Sequence, residues 1–355
     1  MSDLSSFAER LVRWQRGHGR HDLPWQCRDP YRVWLSEIML QQTQVTTVVP
    51  YYHRFIERFP TVTALAAAQV DQVLALWAGL GYYSRARNLH AAAQAVVERF
   101  GGQMPTAAAE LESLPGIGRS TAAAIASFCF GERTAILDGN VKRVLTRWAG
   151  IEGFPGERAI EQRLWQLAES LLPLSAEEMP AYTQGMMDLG ATICRRSRPD
   201  CQRCPLQRDC RAYAEGRTAD LPTRKPKKTI PEKATVMLLV RDGSRLLLEK
   251  RPPSGIWGGL WSLPEMPPED DPLDYCRERF GLQVATGSRL APFVHVFTHY
   301  RLTITPQYCT VVGASSLREQ ALTWLEPAAA LAAGIPTPVR RLLLDQGSPR
   351  LFEED

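Results

Sequence analysis

No run of about 18 apolar residues occurs in the chain, which excludes an ordinary transmembrane helix. Met1 to Arg10 is polar and charged and lacks the apolar core of a secretory signal, so a cytoplasmic protein is expected. Long internal repeats and low-complexity tracts are missing as well, so neither a solenoid nor a disordered array is expected. Neither sign of charge prevails: 42 Lys and Arg against 38 Asp and Glu leave +4, too little to identify a polyanionic partner by itself. Cysteine is sparse outside one stretch. Cys27, Cys129, Cys276 and Cys309 are scattered and make no disulfide framework.

What is present is enough chain, 355 residues, for two domains of about 100–200 residues each. A hydrophobic fraction of 45% with 23% charged residues is ordinary for folded proteins. Up to about residue 213 the apolar residues recur with helical period, and Gly and Pro mark the gaps. Asp29-Pro30 reads as a helix start, leading into an amphipathic segment through Val33, Trp34, Ile38 and Leu40. From Asp220 to Pro231 the chain turns to Pro, Lys and Thr, a semi-rigid linker. Beyond it, Ala234 to Val240, Asp242-Gly243 and Leu246 to Lys250 read as strand, tight turn and strand. The expected organisation is a helical domain over 1–219, a linker over 220–232 and a small α+β domain over 233–355.

Four of the eight cysteines, Cys194, Cys201, Cys204 and Cys210, stand in the spacing C-x6-C-x2-C-x5-C. Four neighbouring thiolates suit a structural zinc or a [4Fe–4S] cluster, and their chemistry alone leaves both open. Only one short C-x2-C knuckle is present, and the long first loop suits the larger cluster better. From Cys194 through Arg211 there are six arginines and two aspartates, so the loop could set positive charge against phosphates. Leu114-Pro-Gly116-Ile-Gly118-Arg-Ser120 precedes an Ala-rich helix. Such a turn aims backbone N–H groups and a helix N-terminus at a phosphate without sequence preference.

Hairpin, then Asp138, then the cysteine pattern resemble, in that order, the helix-hairpin-helix base-excision glycosylases that carry an iron–sulfur cluster. The resemblance implies a [4Fe–4S] cluster on the four cysteines and two helical lobes with DNA between them. Within that group the endonuclease III type, a combined glycosylase and lyase, has a lysine just after the hairpin, where this chain has Ser120. A hydroxyl cannot form the Schiff base that strand cleavage requires. Val33-Trp-Leu-Ser-Glu37-Ile-Met-Leu-Gln-Gln42-Thr43-Gln-Val45 instead closely resembles the motif of the MutY adenine glycosylases. A monofunctional adenine DNA glycosylase is therefore expected, acting on double-stranded DNA with adenine opposite 8-oxoguanine or guanine.

Adenine leaves poorly until protonated. The resemblance implies that Glu37 protonates its N7, and desolvation on a mostly apolar helix would raise the Glu37 pKa toward that task. It implies that Asp138 faces the positive charge left on the sugar, as in glycoside hydrolysis. A helix N-cap is the structural alternative for Asp138, and one residue can do both. Asn140 is expected to orient these groups, and Tyr82 to lie near the reacting sugar. Gln42 and Thr43 match residues inserted at the mispair. Gly116, Gly118, Ser120 and Lys142 are further DNA-side candidates, and Arg20, Trp25 and Gln184 are candidates for the adenine pocket.

Gly255-Ile-Trp-Gly-Gly259 through Glu265 resembles the start of a Nudix box. The metal-binding half offers only Asp274-Tyr275 and Glu278-Arg279, one acid short of its Glu-Glu pair, which puts a magnesium site in doubt. The resemblance implies instead a Nudix-like domain that reads 8-oxoguanine through Phe297, Thr298 and His299. A monomer in the cytoplasm, associated with the nucleoid of a bacterial-type cell, is expected. The rival readings are an endonuclease III-like lyase, a non-catalytic mispair sensor and a nucleotide-hydrolysing Nudix enzyme.

Overall fold

The computed structural model describes residues 4–225, 230–313 and 321–345. Of the basic run Arg224 to Lys228, residues 226–228 lie outside these. Backbone packing divides the chain into two compact units, Met1–Ala67 with Asn88–Lys227, and Ala68–Arg87 with Lys228–Asp355. Boundaries drawn along the sequence make no provision for a segment of the helical half, residues 68–87, that packs with the strand-rich unit.

The first unit is helical. Asp29 caps the helix Pro30–Leu40 by accepting from the N–H groups of Tyr31 and Arg32, and Pro30 fits the first turn, where no N–H is needed. One face of that helix buries Trp34, Leu35 and Met39 completely. Tyr31, in the first turn, donates its hydroxyl to Phe59 O at 2.7 Å. The helices Arg119–Phe130, Gly139–Ala149, Arg158–Ser170 and Met179–Asp188 follow. A core of Phe7, Leu11, Leu145, Trp148 and Tyr182 joins the N-terminal helix to them. Among the described residues no helix is long and apolar enough to cross a membrane.

The second unit is built on one sheet: β1 (Glu232–Asp242), β2 (Arg245–Lys250), β3 (Trp261–Ser262), β4 (Glu265–Met266), β5 (Val284–Arg289), β6 (Phe293–Val296), β7 (Arg301–Val311) and β8 (Leu322–Leu325). Its backbone order is β3-β2-β1-β7-β5, with β4 on β1, β6 on β7 and β8 on β2. β1 pairs with β7 in parallel along ten residues, from Glu232↔Arg301 to Arg241↔Thr310. That central position explains the unbroken apolar run of β1, which is buried from Ala-adjacent Thr235 through Val240. The sequence suggests two strands separated at Pro306. The structure runs β7 straight through it, and the Pro306 carbonyl still accepts from Leu290 N at 2.9 Å. The sequence pattern suggests a helix at Leu273–Phe280; the structure forms a short helix, Pro272–Tyr275, continued as a π-helical turn, Cys276–Phe280, that lays Phe280 into the sheet core.

Candidate active site

Glu37 sits near the C-terminal end of the helix Pro30–Leu40 and lines a cavity of about 430 Å³ within the first unit. Arg20, Trp25 and Gln184 line the same cavity as the glutamate. Trp25 is nearly buried and packs edge-on against Tyr52, with ring centroids 5.4 Å apart. Burial raises the Glu37 carboxyl from 4.5 to about 8, and the nearby charge of Asp138 pushes it the same way. The acid form therefore predominates at neutral pH.

Asp138 is the N-cap of the helix Gly139–Ala149, and its Oδ1 accepts from Val141 N at 2.8 Å. Asn140 donates through Nδ2 to Asp138 Oδ2 at 3.3 Å. Burial raises the Asp138 pKa, while the hydrogen bonds from Val141 and Asn140 and the charge of Arg143 oppose that rise. Two carboxyls thus share a neighbourhood with different support. Asp138 receives donors that favour its ionised form, and Glu37 is protonated by desolvation. Paired environments of this kind separate an acid from a charge stabiliser.

Sequence reasoning missed what ties Asp138 to the cysteine loop. Arg143 Nη2 donates to Asn140 Oδ1 at 2.9 Å and to Gly190 O at 2.8 Å, and its Nε donates to Cys194 O at 2.8 Å. Gly190 is needed for that approach, because a Cβ there would lie 2.6 Å from Asn140 Cβ. One turn on, buried Arg147 donates to the carbonyls of Arg195 (2.7 Å), Arg196 (3.2 Å) and Leu221 (2.8 Å) and reaches Cys194 Sγ at 3.4 Å. The i, i+4 spacing of the two arginines was the available signal. Replacing Arg147 with Leu should destabilise the first unit by about 3 kcal/mol, because one buried and two part-buried carbonyls lose their donor. Urea unfolding of the purified variant checks this, and an unchanged midpoint would refute it.

Cys194, Cys201, Cys204 and Cys210 all border one small cavity of about 30 Å³, beside Arg147 and Ile193. Among the described residues no three His, Cys, Asp or Glu side chains form a group that could hold a metal ion. Four soft sulfur donors border that space, the donor chemistry an iron–sulfur cluster takes, while their side chains are not gathered into a metal-holding group. Burial raises the pKa of Cys201, Cys204 and Cys210, so ionising all of them calls for a strong local cation.

In the hairpin, Gly116 has φ +75°, and a Cβ there would lie 2.6 Å from Asn88 Cβ, so both conformation and space call for glycine. Gly118 caps the helix Arg119–Phe130. Ser120 Oγ accepts from Leu137 N at 2.9 Å, bracing the residue before Asp138. Lys142 is ion-paired with Glu161. Gln42 lies exposed just beyond the Glu37 helix with φ +57°, a conformation strained for a non-glycine residue. Thr43 follows, its hydroxyl donating to Gln41 O at 3.3 Å.

In the second unit a cavity of about 560 Å³ is lined by Tyr82, Trp257, Phe297, Thr298 and His299. Tyr82 is 43% exposed with φ +48°, a second strained residue held open to solvent. Its grouping with the 297–299 loop, the tip between β6 and β7, is not visible in sequence order. Phe297 is held by Trp257 at 5.4 Å, His295 at 4.6 Å and Tyr300 at 4.6 Å between ring centroids. Two acids of the Nudix-box resemblance are committed elsewhere in the unit: Glu265 pairs with Arg251 at 3.2 Å and Asp274 with Arg277, while Arg279 pairs with Glu249 of β2.

Residues 35–170 match the model of the HhH-GPD superfamily of base excision DNA repair proteins, and residues 235–345 match the NUDIX domain model. An adenine DNA glycosylase of Buchnera aphidicola (subsp. Acyrthosiphon pisum) is 36% identical over 95% of this chain and 96% of its own. One from Homo sapiens is 35% identical over 85% of this chain and 66% of its own. The solved structure of a thermostable thymine-DNA glycosylase superposes with a TM-score of 0.54 at 27% identity, over 60% of this chain and 97% of that one.

Proposed function

Given that the chain belongs to the HhH-GPD base excision repair superfamily and, within it, to the adenine DNA glycosylases, we propose that it hydrolyses adenine from mispairs with 8-oxoguanine or guanine, with Glu37 as the acid and Asp138 as the facing charge. DNA is the substrate and an N-glycosidic bond is the one cleaved. The observation carrying the residue assignment is the protonated Glu37 in a base-sized cavity beside Asp138.

The extruded adenine enters the cavity of Arg20, Trp25 and Gln184, at an unstacking cost that a mispair reduces. Glu37 passes its proton to N7. The C1′–N9 bond breaks with its electron pair moving to the base, so neutral adenine leaves. The cationic sugar faces the Asp138 carboxylate, which Asn140 and the N–H of Val141 hold in place. Water then adds at C1′ and its proton returns to the carboxylate pair, restoring Glu37. Ser120 is bonded to the backbone and the Lys142 amine is paired with Glu161, which supports base release without strand cleavage.

Cys194, Cys201, Cys204 and Cys210 would hold the [4Fe–4S] cluster, which when bound supplies four iron–sulfur bonds fixing the arginine-rich loop. Gly116 and Gly118 offer backbone N–H groups to a phosphate, and Gln42 and Thr43 enter the duplex at the mispair. Phe297, Thr298 and His299 read the oxidised base, from a cavity that Tyr82 also lines. A monomer acting in the cytoplasm at the nucleoid completes the reading.

Base-release analysis on an adenine:8-oxoguanine duplex tests the whole. Free adenine, with strand breaks only after hot alkali, is expected. Breaks at an oxidised pyrimidine without alkali would overturn it. Iron and acid-labile sulfide in stoichiometric amounts are expected in purified protein, and zinc in their place would remove the cluster assignment. The variant Phe297→Ala, His299→Ala should reduce the preference for 8-oxoguanine over guanine about tenfold, measured by competing the two duplexes for one enzyme sample. An unchanged preference would remove those residues from recognition.

A further inference from the structure

Asp188 belongs to none of the motifs described so far, yet it is the most completely enclosed charged group behind the Glu37 cavity, with no solvent exposure. Its Oδ2 accepts from Arg20 N at 2.9 Å, and its Oδ1 accepts from Arg20 Nε at 2.7 Å and from Gln184 Nε2 at 2.8 Å. Gln184 and Asp188 are one helical turn apart on Met179–Asp188, so the contact is built into one rigid element. We propose that Asp188 is a positioning residue that makes the cavity selective for a 6-amino purine over a 6-oxo purine. The inference rests on the reading that adenine occupies this cavity.

The two ends of a glutamine amide have nearly the same shape, and which end faces a ligand is decided by neighbours. An ionised carboxylate only accepts hydrogen bonds. Asp188 therefore obliges Gln184 to turn its nitrogen inward, and the other end of the amide, Oε1, is left as the face available to the cavity that Gln184 lines. An oxygen there accepts from the exocyclic amine of adenine. Hypoxanthine and guanine carry an oxygen at the same ring position, and two acceptors facing one another in a desolvated site are both left unpaired. Arg20, a donor only, gives its backbone N–H and Nε–H to the same carboxylate and so does not turn the Gln184 amide. Without the carboxylate, Gln184 could rotate to suit either purine.

Asp188→Asn isolates the effect. Its carbonyl can keep Arg20, while its NH2 group now favours Gln184 turned the other way, with nitrogen toward the base. Single-turnover release of adenine and of hypoxanthine is measured opposite the same partner base. The ratio of the two rates should fall at least about tenfold in the variant. Gln184→Ala should lower the ratio as well, and adding Asp188→Asn to Gln184→Ala should change it no further. An unchanged ratio in Asp188→Asn, or a further fall in the double variant, would overturn the proposal. If the variant does not fold, the side-chain amide of Gln184 in the unaltered protein decides the matter by 15N NMR. A single NH2 environment protected from solvent exchange supports the proposal, and a freely exchanging one overturns it. Wild-type enzyme that releases no adenine at all would instead count against the reading on which the inference rests.

Discussion

Glu37→Gln should lower the rate of adenine release by about 10³-fold or more while leaving mispair binding nearly intact, since general acid catalysis is worth about 10²–10⁴ and this base leaves poorly without it. Glutamine keeps the size and polarity of the side chain but has no proton to give. Single-turnover kinetics with a parallel binding titration separate the two effects, and a variant releasing adenine at the wild-type rate would remove the acid role. The pH profile carries the same information. The Glu37 carboxyl is held at about 8 by burial and by the charge of Asp138, so wild-type release should be sustained through neutral pH and fall as pH rises through about 8. Stability follows with a definite sign. The folded pKa lies above the unfolded value, so the neutral form favours folding at low pH, and that contribution is lost between about pH 4.5 and 8. Glu37→Gln should therefore melt at a higher temperature than wild type at pH 9, with little difference at pH 4.

Asp138→Asn is the second large effect, and it separates two roles held by one residue. Asparagine caps helices about as well as aspartate, and its oxygen can still accept from Val141 N. Folding should therefore survive, with a melting temperature within a few degrees of wild type. The negative charge opposite the developing sugar cation is gone, and release should drop by about 10²–10³-fold, the scale of removing a preorganised electrostatic partner. A fully active Asp138→Asn protein would leave Asp138 with capping alone. The hydrogen bond from Asn140 and the proximity of Arg143 predict a smaller, graded loss when either is replaced, because each supports the ionised carboxylate without carrying its charge.

Features set by short-range forces and features set by long-range ones part company in this chain. Short-range rules were legible in the chain: Asp29-Pro30 as a helix start, the strand–turn–strand around Asp242-Gly243, the two glycines of the hairpin, and the grouping of four cysteines. Backbone geometry and local hydrogen bonding fix such features within a few residues. The Glu37 motif was equally legible as a pattern, as was a second domain with an incomplete Nudix box.

What only the tertiary structure decided depends on groups far apart in sequence. The state of Glu37 follows from desolvation and from Asp138, about a hundred residues away in the chain, and neither is a property of the helix that carries it. Asp188 shows nothing in sequence beyond its spacing from Gln184, because its meaning comes from the N–H groups of Arg20 that fold onto it. Tyr82 lies in the helical half by order and among Phe297, Thr298 and His299 by packing. The sequence by itself determined the family and singled out Glu37; burial and the convergence of distant donors and charges decided that Glu37 holds its proton, how Asp138 is braced, and that Gln184 turns its amide nitrogen to Asp188.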